Sequence, residues 1–371
     1  MSRRAEKQDI TLMILVMVLV AFGLITLYST SAWNGQVKFK DPAYYFKKQF
    51  FATLLGLAAM LFISRMDYHI FEKYAVWAYV LSLILSGLVL LVGDSYNGSK
   101  RWLSLGPLSF QPAEFAKLAV ILFLSKVISS QKQKRKGGIL SLVRVMLLIL
   151  PIVGLVGTNN LSTAIIILGI GVILVFVSHP RYLPFLGLGG IGVAFIAVFL
   201  GMESYRLERL AIWRDPESYE KGFQTIQGLY AIGSGGLFGK GLGESIQKLG
   251  FVPEAQNDMI FSIICEELGL AGAAALILIF LVLIWRFMVI STHAPDLFGA
   301  LAAAGIMGHI AIQVILNVAV VTNTIPNTGI TLPFISYGGT SVLFLLSEMG
   351  LAMSIARKSS LGTPDRSGKI G

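Results

Sequence analysis

The sequence predicts an all-α, polytopic integral membrane protein of about ten transmembrane helices with both termini in the cytoplasm. Three observations carry this. Of 371 residues, 55% are hydrophobic and 13% charged, with a mean hydropathy of +0.75, which lies outside the range of a soluble domain of this length. Apolar runs of about 17–25 residues, the length a helix needs to cross hydrocarbon, recur ten times. The lysines and arginines between them favour one side.

The runs are 10–30, 48–64, 73–92, 112–129, 139–157, 161–178, 183–200, 259–288, 297–321 and 337–356. The first follows a basic start, as a signal peptide does. Its apolar stretch is too long and ends in no small-residue cleavage site, so it reads as an uncleaved first helix. Only Thr158, Asn159 and Asn160 separate the fifth run from the sixth. An even number of spans puts both termini on one side. With the N-terminus inside, the inner segments hold seventeen Lys and Arg, densest at Lys132 to Lys136. The short outer loops hold six: Lys38, Lys40, Lys47, Lys48, Lys100 and Arg101.

The net charge of +10 therefore belongs mainly to the face that meets anionic lipid. It is no nucleic-acid footprint, because no basic patch is interleaved with exposed aromatics. The single Cys265 cannot form an internal disulfide and reads as a packed thiol. No metal cluster, Walker loop or dinucleotide fingerprint stands out.

Nothing suggests a separate soluble domain, so 1–371 is one membrane domain. Its longer loops, 31–47, 93–111, 201–258 and 322–336, all fall outside, where function should concentrate. Within 201–258, Glu217 to Gly228 alternates in a way compatible with a short interfacial helix. Six glycines between Gly233 and Gly243 imply tight turns whose amides either cradle phosphate as a nest or belong to a plain surface loop.

Three outer clusters can carry chemistry. In the first, Lys100, Arg101 and Trp102 precede Glu114 and Lys117 at i,i+3 in the fourth helix. That spacing lets the two charges compensate each other, either as a structural pair or with Lys117 and Arg101 lining a cavity for an anionic group. In the second, Phe251 to Gly269, Asp258 directly precedes an apolar run. It is either a helix N-cap or a functional acid; Asn257 would cap equally well, and Phe261 completes no capping box. Glu266 and Glu267 lie about 12 Å further along the helix and should find partners within the bundle. The third, Ile325 to Leu343, is uncharged and rich in Pro, Gly, Thr and Ser. Non-helical backbone beside a membrane must be buried in protein or line a watery cavity, so it should form a cavity wall.

At these clusters the chain resembles the shape, elongation, division and sporulation (SEDS) family of bacterial envelope proteins, of the FtsW/RodA/SpoVE type. The resemblance rests on NGSKRW and QPAEFAKL, on AIGSGGLFGKGLGESIQKLGFVPEAQNDMIFSIICEELGLAG, and on NTGITLPFISYGGTS. It spans all ten expected helices, and the last motif is closer to the division and sporulation branch. It implies a peptidoglycan glycosyltransferase of the bacterial cytoplasmic membrane that polymerises lipid II at the outer face. A class B penicillin-binding transpeptidase and other divisome or elongation-complex membrane proteins are the implied partners. The family's essential acid falls on Asp258, and Arg101, Trp102, Glu114, Lys117 and Ser341 match positions lining its central cavity. Gln256-Asn257 departs from the His-Thr that many relatives carry, leaving the acid in place.

The residues fit that chemistry. Joining a sugar hydroxyl to an anomeric carbon with pyrophosphate leaving needs a base and nearby positive charge. Asp258 would serve as base, and Arg101 and Lys117, with Lys100 or a divalent cation such as Mg2+, would stabilise the pyrophosphate. One carboxylate suffices for a single inverting displacement, because a diphosphate leaving group needs little protonation. Two other readings are a flippase for the same lipid-linked precursor and a non-enzymatic scaffold for a transpeptidase. The first lacks a clear internal repeat; the second would use a small-residue face such as Ala300 to Gly305.

Overall fold

A computed structural model describes residues 9–96, 99–105, 108–133, 139–179, 190 and 204–359. Its helices are α1 (Ile10–Phe39), α2 (Tyr44–Arg65), α3 (His69–Val92), α4 (Pro112–Gln133), α5 (Ile139–Asn159) and α6 (Leu161–Ser178). They continue with α7 (Ser204–Arg214), α8 (Phe223–Ser234), α9 (Ile260–Thr292), α10 (Leu297–Val321) and α11 (Gly339–Lys358). The expected spans coincide with α1 to α6 and α9 to α11; the remaining one, 183–200, lies outside the described residues except for residue 190. Among the described residues, seven helices (α1, α2, α3, α6, α9, α10 and α11) are long and apolar enough to cross a membrane.

Helix ends follow local chemistry. Asp9 caps α1 by accepting from the Leu12 amide at 3.0 Å, and it also pairs with Arg286 of α9 at 2.8 Å. Asn160 accepts from the Thr163 amide at 3.1 Å, and this single capping residue is the boundary between α5 and α6, since Thr158 and Asn159 belong to α5. Asp296 caps α10 through the Gly299 amide at 2.8 Å. The first helix runs nine residues past its expected end to Phe39, where Lys40 stops it in the left-handed conformation (φ 59°).

The all-α expectation missed one feature. Within 93–111, β1 (Asp94–Tyr96), β2 (Ser99–Leu105) and β3 (Leu108–Phe110) form a small antiparallel sheet in the order β1-β2-β3. It seats Trp102 opposite Asp94 and Leu103 opposite Phe110. In 201–258, short 3-10 turns at 216–218 and 220–222 lead into α8, so the helix starts later than the alternating pattern implied.

Helices α10 and α11 fill the centre of the bundle. Gly350 of α11 approaches the Met60 carbonyl of α2 so closely that an added Cβ would lie 2.6 Å from it, and Gly305 of α10 leaves only 2.8 Å to Ile121. Leu301 to Ile306 are buried inside the molecule, so the small-residue face offered for partner docking is consumed by the chain's own packing.

Helix α9 is broken at Gly269 (φ 66°, ψ −169°). Its first part is buried on every side from Ile260 to Glu267, whereas Leu270, Leu278, Leu281 and Trp285 of the second part are exposed. The second part is about 36 Å long at 1.5 Å per residue, enough to cross about 30 Å of hydrocarbon alone.

Candidate functional site

The turns before α9 hold Asp258. Glu254 adopts a left-handed conformation (φ 48°), stabilised where Asn257 donates its backbone amide to the Glu254 carbonyl at 2.9 Å and its side-chain amide to the carboxylate at 2.8 Å. Gln256 is buried and joins three segments. It accepts from Asn34 of α1 through its side chain and from the Tyr337 amide through its carbonyl, both at 2.9 Å. The Gln256 side chain thus ties the acid's loop to α1, and its backbone carbonyl ties it to the 325–338 loop.

Asp258 is not the cap of α9. The cap position is Met259, with no side-chain hydrogen bond, and the Asp258 carboxylate accepts from its own and the Met259 amides. The carboxyl is half-buried, with Gly329 lying against it: a Cβ added there would sit 3.9 Å from Oδ2. Burial pushes the Asp258 carboxyl up to about 6, the neighbouring negative charge of Glu254 adds to the rise, and Arg209 opposes it.

Arg209 was not singled out from sequence. It lies on α7 and donates to the Asn327 carbonyl at 3.0 Å, while Trp213, one turn on, donates to the Asn323 carbonyl at 2.9 Å. These bonds dock α7 on the loop that walls the site and bring a cation beside Asp258.

Below the acid, one face of α10 carries His309, Gln313 and Asn317, spaced four residues apart. Asn317 donates to the carbonyls of Asp258 (2.8 Å) and Ile330 (2.7 Å). Gln313 donates to the Thr331 carbonyl at 3.0 Å and accepts from Lys117 at 3.2 Å and His309 at 2.9 Å. His309 pairs in turn with Glu348 of α11 at 2.9 Å. Lys117 also pairs with Glu114 at 3.0 Å, and the Ser341 hydroxyl hydrogen-bonds that carboxylate.

Glu114, Lys117 and Ser341 therefore meet as one buried group. Lys100 and Arg101 line a neighbouring cleft between the outer ends of α3 and α5. Arg101 donates to the Asn159 carbonyl at 2.9 Å, and Lys100 points at the last carbonyls of α3, 3.3 Å from Leu91. Trp102 is half-exposed on β2.

Glu266 and Glu267 find their partners mainly in the long loop, not in bundle helices, and Glu267 Oε2 is buried without a hydrogen bond among the described residues. Glu266 accepts from Lys240 (2.7 Å), Ser245 and the amides of Ile246 and Gln247, both at 3.3 Å. Glu267 accepts from Lys248 at 2.7 Å and from Ser29 of α1 at 2.8 Å. In the glycine segment the amides of Lys240 and Gly241 bond the carbonyls of Glu266 and Glu267 at 3.0 and 2.9 Å, so these two are taken by α9 and not offered to a phosphate.

Among the described residues no three His, Cys, Asp or Glu side chains gather as a metal site. At Asp258 the donor set is one carboxylate beside an arginine, with Glu254 turned toward Asn257 and Lys38, which does not fit a protein-built cation cage.

The family model for FtsW, RodA and SpoVE cell cycle proteins matches residues 9–361. The chain is 40% identical to stage V sporulation protein E of Bacillus subtilis, over 97% of this chain and 100% of that protein. It is 35% identical to a probable peptidoglycan glycosyltransferase FtsW of Trichlorobacter lovleyi, over 95% and 94%. Among solved structures, a chain of a peptidoglycan synthase complex superposes with a TM-score of 0.77 at 29% identity, covering 94% of this chain and 98% of its own. The rod shape determining protein RodA of Thermus thermophilus gives 0.71 at 28% identity, over 95% and 98%.

Proposed function

The chain belongs to the FtsW/RodA/SpoVE family of multi-pass membrane proteins, and from that membership we propose that it is a peptidoglycan glycosyltransferase polymerising lipid II. The reaction takes place at the outer face of the bacterial cytoplasmic membrane, beside a class B penicillin-binding transpeptidase. The observation that carries the reading is the Asp258 carboxyl, half-buried between Glu254 and Arg209 and linked through one face of α10 to the buried Lys117.

A carboxyl near 6 is largely ionised at neutral pH yet more basic than an ordinary carboxylate. Asp258 takes the proton of the acceptor sugar's 4-hydroxyl as that oxygen attacks the donor's anomeric carbon. The anomeric bond to the diphosphate breaks with inversion, and the undecorated diphosphate-lipid leaves. Arg209, beside Asp258, meets the negative charge that develops on it, with Lys117 in the buried group behind the site and Arg101 in the neighbouring cleft as further positive charge. Asp258 then returns its proton to water.

The test is polymerisation of lipid II by the purified, reconstituted protein, comparing wild type with Asp258→Asn. Glycan product from wild type and none from a folded variant is the expected result. Normal polymerisation by Asp258→Asn removes the base assignment, and leaflet exchange of lipid II without product supports the flippase instead.

A further inference from the structure

The glycine segment presents large apolar side chains outward: Phe238 is 82% exposed, Leu237 64% and Leu242 54%. A surface loop in water has no use for them. Its backbone, by contrast, is pinned to α9 at several points, while Gly236 and Gly241 themselves stay exposed. Gly239 donates to the Gly235 carbonyl at 2.8 Å, Lys240 and Gly241 donate to the carbonyls of Glu266 and Glu267, and the carbonyls of Gly236 and Leu237 accept from Leu270 at 2.9 Å and Ala271 at 3.0 Å. The lysine in the elbow turns inward, where Lys240 meets the fully buried Glu266. Apolar tips, a backbone tied to α9 and a neutralised charge suit a chain that lies at the level of the headgroups with its side chains reaching the acyl boundary.

The segment is also fixed in place. Its bonds to Leu270 and Ala271 set Leu237 and Phe238 beside Leu270, itself 62% exposed at the start of the part of α9 that is long enough to span the membrane. The exposed apolar face of that span, through Leu278, Leu281 and Trp285, is its lipid-facing surface, and the elbow continues it. Glu244, the first acid after the elbow, is exposed and belongs at the headgroup level.

We propose that residues 235–242 form a re-entrant elbow that inserts Leu237 and Phe238 into the leaflet at this end of α9, at the boundary of acyl chains and headgroups. The occupant is the lipid itself, because the elbow is continuous with the lipid-facing side of a spanning helix. The elbow anchors the base-bearing loop, since the same segment bonds Glu266 and Glu267, in the part of α9 that follows directly on the Asp258 turn.

The test uses the full chain in lipid nanodiscs, with a nitroxide on Phe238→Cys. Leu278→Cys serves as the lipid reference and Glu217→Cys as the water reference; the buried Cys265 stays unlabelled in the folded protein. Collision of the Phe238 label with oxygen should exceed that with a water-soluble nickel chelate several-fold, as at Leu278. Nickel accessibility equal to that at Glu217 overturns the proposal, and so does shielding from both reagents, which would mean protein covers the elbow. A label-free arm compares Phe238→Asp with Phe238→Ser in the same nanodiscs. The aspartate should unfold at the lower temperature, and equal or higher stability of the aspartate overturns the proposal as well.

Discussion

Asn317 donates its side-chain amide to the carbonyl oxygen of Asp258 over 2.8 Å and to that of Ile330 over 2.7 Å. A single fully buried residue of α10 therefore fixes the backbone of the acid and the loop that faces it. Asn317→Leu leaves both carbonyls unpaired, at about 1–3 kcal/mol each. It should lower the thermal midpoint of the purified protein. Where the protein still folds, lipid II polymerisation should fall by up to about 100-fold through misplacement of Asp258. Full activity with a lowered midpoint would show that Asn317 serves stability alone.

The raised affinity of Asp258 for its proton sets a pH dependence. A base must be deprotonated to act, so kcat/KM should be full above pH 7 and fall as pH drops through about 6. Glu254 raises the Asp258 value and Arg209 lowers it. Glu254→Gln should therefore move the acid limb to lower pH, and Arg209→Ala should move it to higher pH. Rates of lipid II polymerisation between pH 5 and 8 for the three proteins decide the matter; limbs that coincide would remove Asp258 as the titrating group.

Much of this site was legible in the residues, and the exceptions have physical causes. Spans such as 161–178 and 297–321 were readable to the residue, because hydropathy marks them and Asn160 and Asp296 cap them. The Glu114 and Lys117 pair followed from i,i+3 spacing on one helix. Arg209 was not legible, because its place beside Asp258 depends on the docking of α7 on a loop more than a hundred residues later. The strands of 94–110 were hidden by the turn-forming residues between short apolar stretches. For Lys100 the residues give a neighbourhood in the chain and not a direction, which in the structure is along the cleft toward the end of α3.

Stability should respond to Asp258 in the opposite sense to activity. A carboxyl whose value in the folded protein lies above its unfolded value costs stability when ionised. The cost is fully present above about pH 6 and vanishes below about pH 4, where both states bind the proton. Asp258→Asn removes it. The variant should melt at or above the wild-type temperature at pH 7.5, and the difference should shrink as pH falls. A lower melting temperature at pH 7.5 would mean that the ionised carboxylate has stabilising partners.

The Lys248 and Glu267 pair is almost fully enclosed, at 8% and 1% side-chain exposure and 2.7 Å apart. Burying both charges gains little over an apolar pair, but removing one leaves the other without compensation, at about 3–5 kcal/mol. Glu267→Ala should therefore destabilise strongly, and the double variant Lys248→Met with Glu267→Leu should recover a large share. Thermal unfolding of wild type, both single variants and the double variant gives the coupling directly. Equal losses in Glu267→Ala and the double variant would show that packing around these side chains, and not charge compensation, sets the stability.

Gly269 and Gly239 meet back to back where the elbow crosses the break in α9. Both have left-handed φ, 66° and 79°, and a Cβ on Gly269 would lie 2.3 Å from the Gly239 nitrogen, with one on Gly239 2.1 Å from the Glu267 carbonyl oxygen. Neither obstacle is a flexible side chain, so the backbone itself must move. Gly269→Ala combines that clash with a conformation costing an L-residue about 1–3 kcal/mol. It should loosen the elbow and free the amides of Leu270 and Ala271 to exchange with deuterium. Gly233→Ala is the matched comparison, because nothing lies within 4 Å of the added carbon and its helical site in α8 should gain about 0.5–1 kcal/mol. Hydrogen exchange of the two variants in nanodiscs checks this: protection at Leu270 and Ala271 should drop in Gly269→Ala alone, and unchanged protection there would mean the break in α9 tolerates a side chain.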